Sequence, residues 1–175
     1  WDGEGESGYN FQVYGGTYLV ITPRSAPNNP PTAPTSVTIS PTNPDTSTDL
    51  TATASGSSDP DGDTVTYEYQ WARSTDGGST WSAWGWEGNT LDDGYTARDE
   101  RWKAQARATD GKGGYSDWVE SSVVTIANTP PTVPSTVTVS PGAPLTTDDL
   151  QATASGSTDA DGDSLTYQYQ WAKST

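Results

Sequence analysis

The sequence contains no cysteine, no histidine and no methionine. Disulfides therefore cannot hold the fold together, and the ligands that zinc prefers are missing. Nucleophiles that are activated in serine–histidine or cysteine–histidine pairs are excluded as well. Acidic pairs occur at residues 92–93 and 99–100, but they lie in turn-rich sequence, where acidic residues are common. We therefore expect that the protein is not an enzyme.

Basic residues and long apolar runs are scarce too. Eight lysines and arginines face 23 aspartates and glutamates, so the formal net charge is −15. This charge argues against a nucleic-acid partner, because phosphate binding needs clustered Lys and Arg. No window approaches the roughly 18 apolar residues of a membrane span, so we expect no membrane insertion in this stretch. Eight tryptophans and nine tyrosines nevertheless indicate a folded chain, since disordered segments usually lack aromatic residues.

Internal repetition dominates the sequence. Residues 30–75 align without a gap on residues 130–175, and about two-thirds of the positions are identical. We interpret the chain as a window of an array. On this interpretation residues 1–22 are the C-terminal strands of a preceding module, 23–31 a proline-rich linker, 32–127 a complete immunoglobulin-like module, 128–134 a second linker, and 135–175 the N-terminal part of a following module.

Within one repeat, alternating patterns predict several short strands. Apolar and polar residues alternate over residues 65–71 and 102–108, with the period of two that a strand requires. Further strands are predicted over residues 37–40, 50–54 and 119–126, and we find no amphipathic helix of useful length. About seven strands in about 100 residues predict an all-β immunoglobulin-like sandwich, repeated in tandem.

Two motifs resemble known repeat families. Residues 102–110, with the glycine–serine turn at 113–116, resemble the F strand and F–G turn of fibronectin type III domains. Residues 59–67 (DPDGDTVTY) resemble the B–C turn of polycystic-kidney-disease-type and related immunoglobulin-like repeats of bacterial and archaeal surface proteins. The resemblance covers the whole middle unit. It implies a sandwich module that lies outside the cell or on its surface.

Alternate aspartates form the sharpest motif in each copy of the repeat. The first aspartate loop contains Asp59, Asp61 and Asp63, and the second contains Asp159, Asp161 and Asp163. Such carboxylates can converge on one hard cation, and calcium accepts about six to eight oxygen ligands. The topology of the domain would bring Asp110 to the same end, so the predicted calcium site includes it. Turn formation alone is the competing interpretation, since aspartate and glycine build turns without an ion; repulsion among three carboxylates favours the cation.

A cluster of tryptophans offers a second candidate site. Trp81, Trp84 and Trp86 are separated by small residues in a region that the alternating pattern does not divide. Their rings could stack on a sugar, contact a neighbouring subunit or pack against their own module. By contrast, Trp71 and Trp102 occupy inward positions of strand patterns, so we predict that both belong to the core.

Together these patterns predict a structural or adhesive component of an extracellular fibre or cell-surface array. Its partners would be copies of itself, with cell-surface glycans as a second class. The alternative is an accessory, carbohydrate-binding module of a secreted hydrolase. Semi-rigid proline-rich linkers, stiffened by calcium at the joints, would separate the modules. Incomplete terminal modules expose strand edges, so residues 18–21 of one chain would pair with the C-terminal half of another by strand addition.

Overall fold

The computed structural model describes residues 26–174 and the backbone of residues 9–13 and 19–23. Near the N-terminus, β1 (Tyr9–Val13) and β2 (Leu19–Pro23) pair antiparallel. The segment that we expected to pair with another chain therefore pairs, from Leu19 to Ile21, with β1 of the same chain; Tyr18 lies outside the described residues. No helix in the described ranges has the length and apolar character of a membrane span.

The middle unit consists of short strands joined by turns. Its strands are β3 (Ser36–Ser40), β4 (Leu50–Ser55), β5 (Thr66–Ser74), β6 (Thr90–Leu91), β7 (Arg101–Thr109), β8 (Val119–Glu120) and β9 (Val124–Thr125). One 3-10 turn spans Asp93–Tyr95. Each predicted strand is found within a few residues of its expected bounds, because alternation of apolar and polar side chains suits a half-buried strand.

These strands form two sheets that face each other. One sheet has the order β3-β4-β6, and the other places β7 between β5 and the pair β8 and β9. The pairing of β5 with β7 is the longest, from Thr66 opposite Thr109 to Ser74 opposite Arg101. In an immunoglobulin-like domain strands A, B and E share one sheet and C, F and G the other, which is the arrangement seen here. The predicted all-β, immunoglobulin-like sandwich is confirmed.

The core lies between the sheets and combines two large indoles with small alanines. Trp71 and Trp102 are fully buried, and alanines of β7 alternate toward the same space. Each buried indole N–H has a partner: Trp71 Nε1 donates to Gly88 O at 3.0 Å, and Trp102 Nε1 donates to Glu100 Oε2 at 3.1 Å. Small residues on β7 leave room for the rings, because sheets packed face to face must fill their shared interior without voids.

The last predicted strand, residues 119–126, is interrupted. β8 and β9 both pair with β7, but residues 121–123 leave the ladder between them. Ser121 explains the break, because its backbone N–H donates to Ala104 O at 2.8 Å while its hydroxyl accepts from Ala104 N at 3.0 Å. A side-chain oxygen thus replaces one backbone partner, which is the competition that serine offers to regular structure. The prediction of one continuous strand was wrong at this point.

The second copy of the repeat reproduces only part of this architecture. Its strands β10 (Thr136–Ser140) and β11 (Gln151–Ser155) pair in the register of β3 and β4. Residues 166–174, which correspond to β5, are not in a strand. Within the described residues the apolar face of this copy is open to solvent.

Candidate functional site

The first aspartate loop connects β4 to β5 and is held by its own first aspartate. Asp59 Oδ1 accepts hydrogen bonds from the backbone N–H groups of Asp61 (2.8 Å) and Asp63 (3.2 Å). Gly62 adopts φ +80°, which favours glycine because a side chain there would be strained. One carboxylate oxygen from each of the three aspartates lies within 4.8 Å of the others. Asp59 Oδ2 is buried and has no hydrogen-bond partner among the described residues.

The other two carboxylates of this loop bind protein groups. Asp61 accepts from Asn29 twice, from the backbone N–H at 2.6 Å and from the side-chain amide at 3.1 Å. These two bonds hold the pKa of the Asp61 carboxyl below its ordinary value. Asp63 pairs with the ammonium group of Lys112. Linker and F–G turn therefore both meet at the aspartate loop.

Asp110 lies at the same end of the unit but serves the turn. Its buried carboxylate accepts from Asn28 Nδ2 at 2.6 Å, from Lys112 N at 2.7 Å and from Gly114 N at 3.0 Å. The bond from Asn28, followed by that from the Lys112 backbone, lowers the pKa of Asp110. Among the described residues it is not part of the mutually close group of carboxylates. Asp110 thus anchors the linker to the turn after β7.

The second aspartate loop has the same internal bonds and different outer partners. Asp159 Oδ1 accepts from Asp161 N at 2.9 Å and from Asp163 N at 3.0 Å. Asp161 accepts from the backbone N–H of Thr129 at 2.7 Å, as Asp61 does from the linker residue before the first copy. Asp163 pairs with Arg98 of the middle unit at 2.6 Å. In the part of the chain that the structure describes, these three carboxylates do not converge as those of the first loop do.

The three tryptophans of the predicted ligand site take two different roles. Trp86, at φ +44°, packs edge-on against the core ring of Trp102 with the ring centroids 5.1 Å apart. Trp81 and Trp84 instead flank the ammonium group of Lys103, which lies 4.9 Å from each ring centroid. Cations over aromatic faces are attracted by the ring quadrupole. The three rings therefore do not share one partner, and one cation already lies over the faces of Trp81 and Trp84.

A second cation–aromatic group lies on the same sheet and was not anticipated. Arg107 lies 4.1 Å from the ring centroid of Tyr115 and 4.7 Å from that of Trp118, and its Nη2 is 2.8 Å from Glu68. Beside it, at the edge of β5, runs an open groove of about 640 Å³. The groove is lined by Tyr67, Glu68, Tyr69, Gln70, Glu87, Gly88, Asn89, Arg107 and Trp118. The outward positions of β7, Lys103 and Arg107, were the available signal, because both are long cations on a strand whose other face is apolar.

A further acidic group, Asp49 with Asp92 and Asp93, is explained by turn formation. Asp49 accepts from Asp93 N at 2.9 Å, and Asp92 accepts from Gly94 N at 2.9 Å at the start of the 3-10 turn. Such bonds between carboxylates and nearby backbone N–H groups are typical of caps. Sequence reasoning also missed Arg98 and Thr46, which contact the second copy; no repeated pattern marks either residue.

No protein-family model and no curated protein matches the sequence. A crystal structure of domains A168-A170 from titin is similar, with a TM-score of 0.37 and 15% sequence identity. That similarity covers 57% of this chain and 32% of the titin chain, so this chain spans about a third of the length of the structure it matches. The class of the protein, an immunoglobulin-like β-sandwich, rests on its own two sheets.

Proposed function

We propose that the chain belongs to a structural or adhesive component of an extracellular fibre or cell-surface array built from tandem modules. The observation that carries this proposal is a repeated joint. The linker before each copy donates a backbone N–H to the second aspartate of that copy's loop, Asn29 to Asp61 at 2.6 Å and Thr129 to Asp161 at 2.7 Å. A contact that recurs at the same position in both copies supports modules that follow one another regularly.

The finer assignment follows the two sequence motifs. The first aspartate loop joins strands at positions B and C of the sandwich, and the glycine turn follows the strand at position F. This placement supports a module of the fibronectin type III or polycystic-kidney-disease type. Its role is mechanical rather than catalytic, and its partners are copies of itself.

Intact cells provide the test of this role. An antibody against the chain should label extracellular filaments or the cell surface in immunogold electron microscopy, at intervals along each filament. An antibody against a cytosolic protein is the matched control. Label confined to the cell interior would contradict the proposal.

Calcium at the first aspartate loop is the second part of the proposal. Three oxygens within 4.8 Å of one another suit a hard cation, and the buried Asp59 Oδ2 lacks a protein partner among the described residues. Calcium would offset the charge of three close carboxylates. The chain's own contribution is to hold Asp59 through the N–H groups of Asp61 and Asp63.

A carbohydrate-binding accessory module is the alternative function, and the groove beside β5 favours it. Glu87 and Asn89 line this groove together with one face-presenting aromatic residue, Trp118. Polar planar groups with an aromatic ring are the chemistry that sugars require. Binding to a glycan array that is lost with Trp118→Ala and kept with Trp81→Ala would support this function; no binding by the wild-type chain would exclude it.

A further inference from the structure

The joint between the middle unit and the second copy is made by direct polar contacts. One guanidinium nitrogen, Arg98 Nη1, donates both to Asp163 Oδ2 at 2.6 Å and to the side-chain oxygen of Asn128. Thr129, in the linker, donates its N–H to Asp161 Oδ2 at 2.7 Å. The middle unit, the linker and the next aspartate loop are therefore connected through one arginine.

Thr46 adds a second contact from the middle unit. Its hydroxyl lies 2.7 Å from that of Thr129 and also hydrogen-bonds to the carboxylate of Asp161. Thr46 belongs to the turn between β3 and β4, whereas Arg98 belongs to the turn before β7. Two separate turns of one unit thus hold two different aspartates of the next, which restrains rotation about the linker as well as bending.

The joint is polar and open to water rather than packed. A cavity of about 590 Å³ separates the two units and is lined by Thr46, Asp93, Gly94, Thr96, Ala97, Arg98, Asp99, Ala160 and Asp161. Apolar packing therefore contributes little to the orientation. The hydrogen bonds and the ion pair determine it, and their strength depends on salt.

The first aspartate loop shows that such a loop accepts a basic side chain at its third aspartate. Asp63 binds Lys112 of its own unit, whereas Asp163 binds Arg98 of the preceding unit. In both loops the second aspartate accepts the linker N–H. The loop is thus an acceptor with two positions, one for the linker backbone and one for a cation.

We propose that the end of each module that carries Thr46, Arg98 and Asn128 is a docking surface for the aspartate loop of the next module, which Arg98 clasps. This inference rests on the proposed array function, because it needs successive modules. The joint is then an oriented connection rather than a free hinge, and the guanidinium group takes the position that a bound cation would otherwise have at this loop.

Electron-spin distance measurements on the full chain test the clasp. The chain has no cysteine, so Thr53→Cys and Thr153→Cys, at equivalent exposed positions of β4 and β11, introduce the only two label sites. We expect a narrow distance distribution in the wild-type background. Arg98→Ala should widen it about twofold, because a short linker alone permits many relative orientations. Arg101→Ala removes the same charge from an exposed position away from the joint and should leave the width unchanged.

Salt supplies a second measurement that needs no substitution. At about 1 M NaCl the Debye length falls to about 3 Å, so the distribution of the labelled wild-type chain should widen too. A broad wild-type distribution, equal widening by Arg101→Ala, or no response to Arg98→Ala and salt would overturn the clasp. A narrow distribution that Arg98→Ala widens, together with label found only inside cells, would keep the clasp and reject the fibre function. An unresponsive joint in a protein that does label surface filaments would reject the clasp alone.

Discussion

The two copies of the repeat have the same local structure and very different burial. β3 with β4 and β10 with β11 share one register, and the hydroxyls of Tyr69 and Tyr169 each accept a backbone N–H at 3.0 Å. Trp71, however, is 0% exposed and its equivalent Trp171 is 56% exposed. Leu50 and Leu150 differ in the same way, at 0% and 47%.

The difference shows which parts of a strand are local. Residues 66–74 form β5 because β7 pairs with all nine of them, whereas residues 166–174 have nearly the same sequence and no paired strand within the described residues. A strand needs partners for its backbone N–H and C=O groups. The sequence of β5 therefore specifies which face each side chain would take, and β7 provides the strand itself.

The largest expected effect separates the two equivalent tryptophans. Trp71→Ala should lower the free energy of unfolding by about 3–5 kcal/mol, because it removes a buried indole from the core. Trp171→Ala should change it by less than about 0.5 kcal/mol, as is usual for exposed positions. Urea unfolding followed by circular dichroism measures both. Equal losses would mean that residue 171 is also buried in solution.

Amide hydrogen exchange should separate the two segments without any substitution. Exchange in residues 166–174 should be faster than in residues 66–74 by on the order of a thousandfold, since a global stability of about 5 kcal/mol protects only the paired strand. Mass spectrometry of peptic fragments resolves both segments. The β3–β4 and β10–β11 pairs are the internal reference. Similar protection in both segments would show that residues 166–174 have a strand partner.

Calcium should distinguish the two aspartate loops by a smaller amount. At ten times its Kd, calcium should stabilise the middle unit by about 1.4 kcal/mol, or roughly 5–10 °C in Tm. Chelator should reverse this gain. Replacing Asp59, Asp61 and Asp63 by asparagine should abolish the response, whereas the same triple change at Asp159, Asp161 and Asp163 should leave it. Calorimetry that finds no calcium response in the wild-type chain would leave the first loop as a turn only.

The smallest expected effect concerns the pH dependence of the two linker contacts. A hydrogen bond from Thr46 and then the N–H of Thr129 lower the pKa of Asp161 from 3.8, so the ionised carboxylate is favoured in the folded state. That stabilisation is complete above pH about 4 and is lost as pH falls through the lowered pKa. Thr46→Val should raise the pKa of Asp161 toward 3.8 and leave Asp61 unchanged, as NMR titration of the side-chain carboxyls can measure. If Thr46→Val moves the pKa of both aspartates or of neither, the contact is not as described.

Much of the sandwich could be predicted because its strands carry their own signal. The alternation over residues 65–71 and 102–108 identified β5 and β7 and placed Trp71 and Trp102 in the core. The interruption at Ser121 and the two-residue strand β6 have no such signal, because one depends on a side-chain hydrogen bond to β7 and the other on its pairing with β4.

The candidate site was predictable in its residues and not in its partners. The spacing of Asp59, Asp61 and Asp63 indicated a loop whose carboxylates come together, and in the first loop they do. Nothing in the spacing of the equivalent aspartates indicated that Asp163 binds Arg98, 65 positions earlier in the chain. An ion pair between distant segments depends on how the chain returns, which composition and periodicity do not contain.

By itself the sequence determined the repeat, the acidic charge, the faces of the strands and the internal bonds of each aspartate loop, because these depend on residues close together in the chain. Tertiary structure decided which of two nearly identical segments becomes a strand, whether an indole is buried, and which basic side chain meets each loop. These outcomes depend on a second segment that supplies backbone partners, apolar cover or opposite charge. Equal local sequences therefore reach different structures when only one of them has that segment.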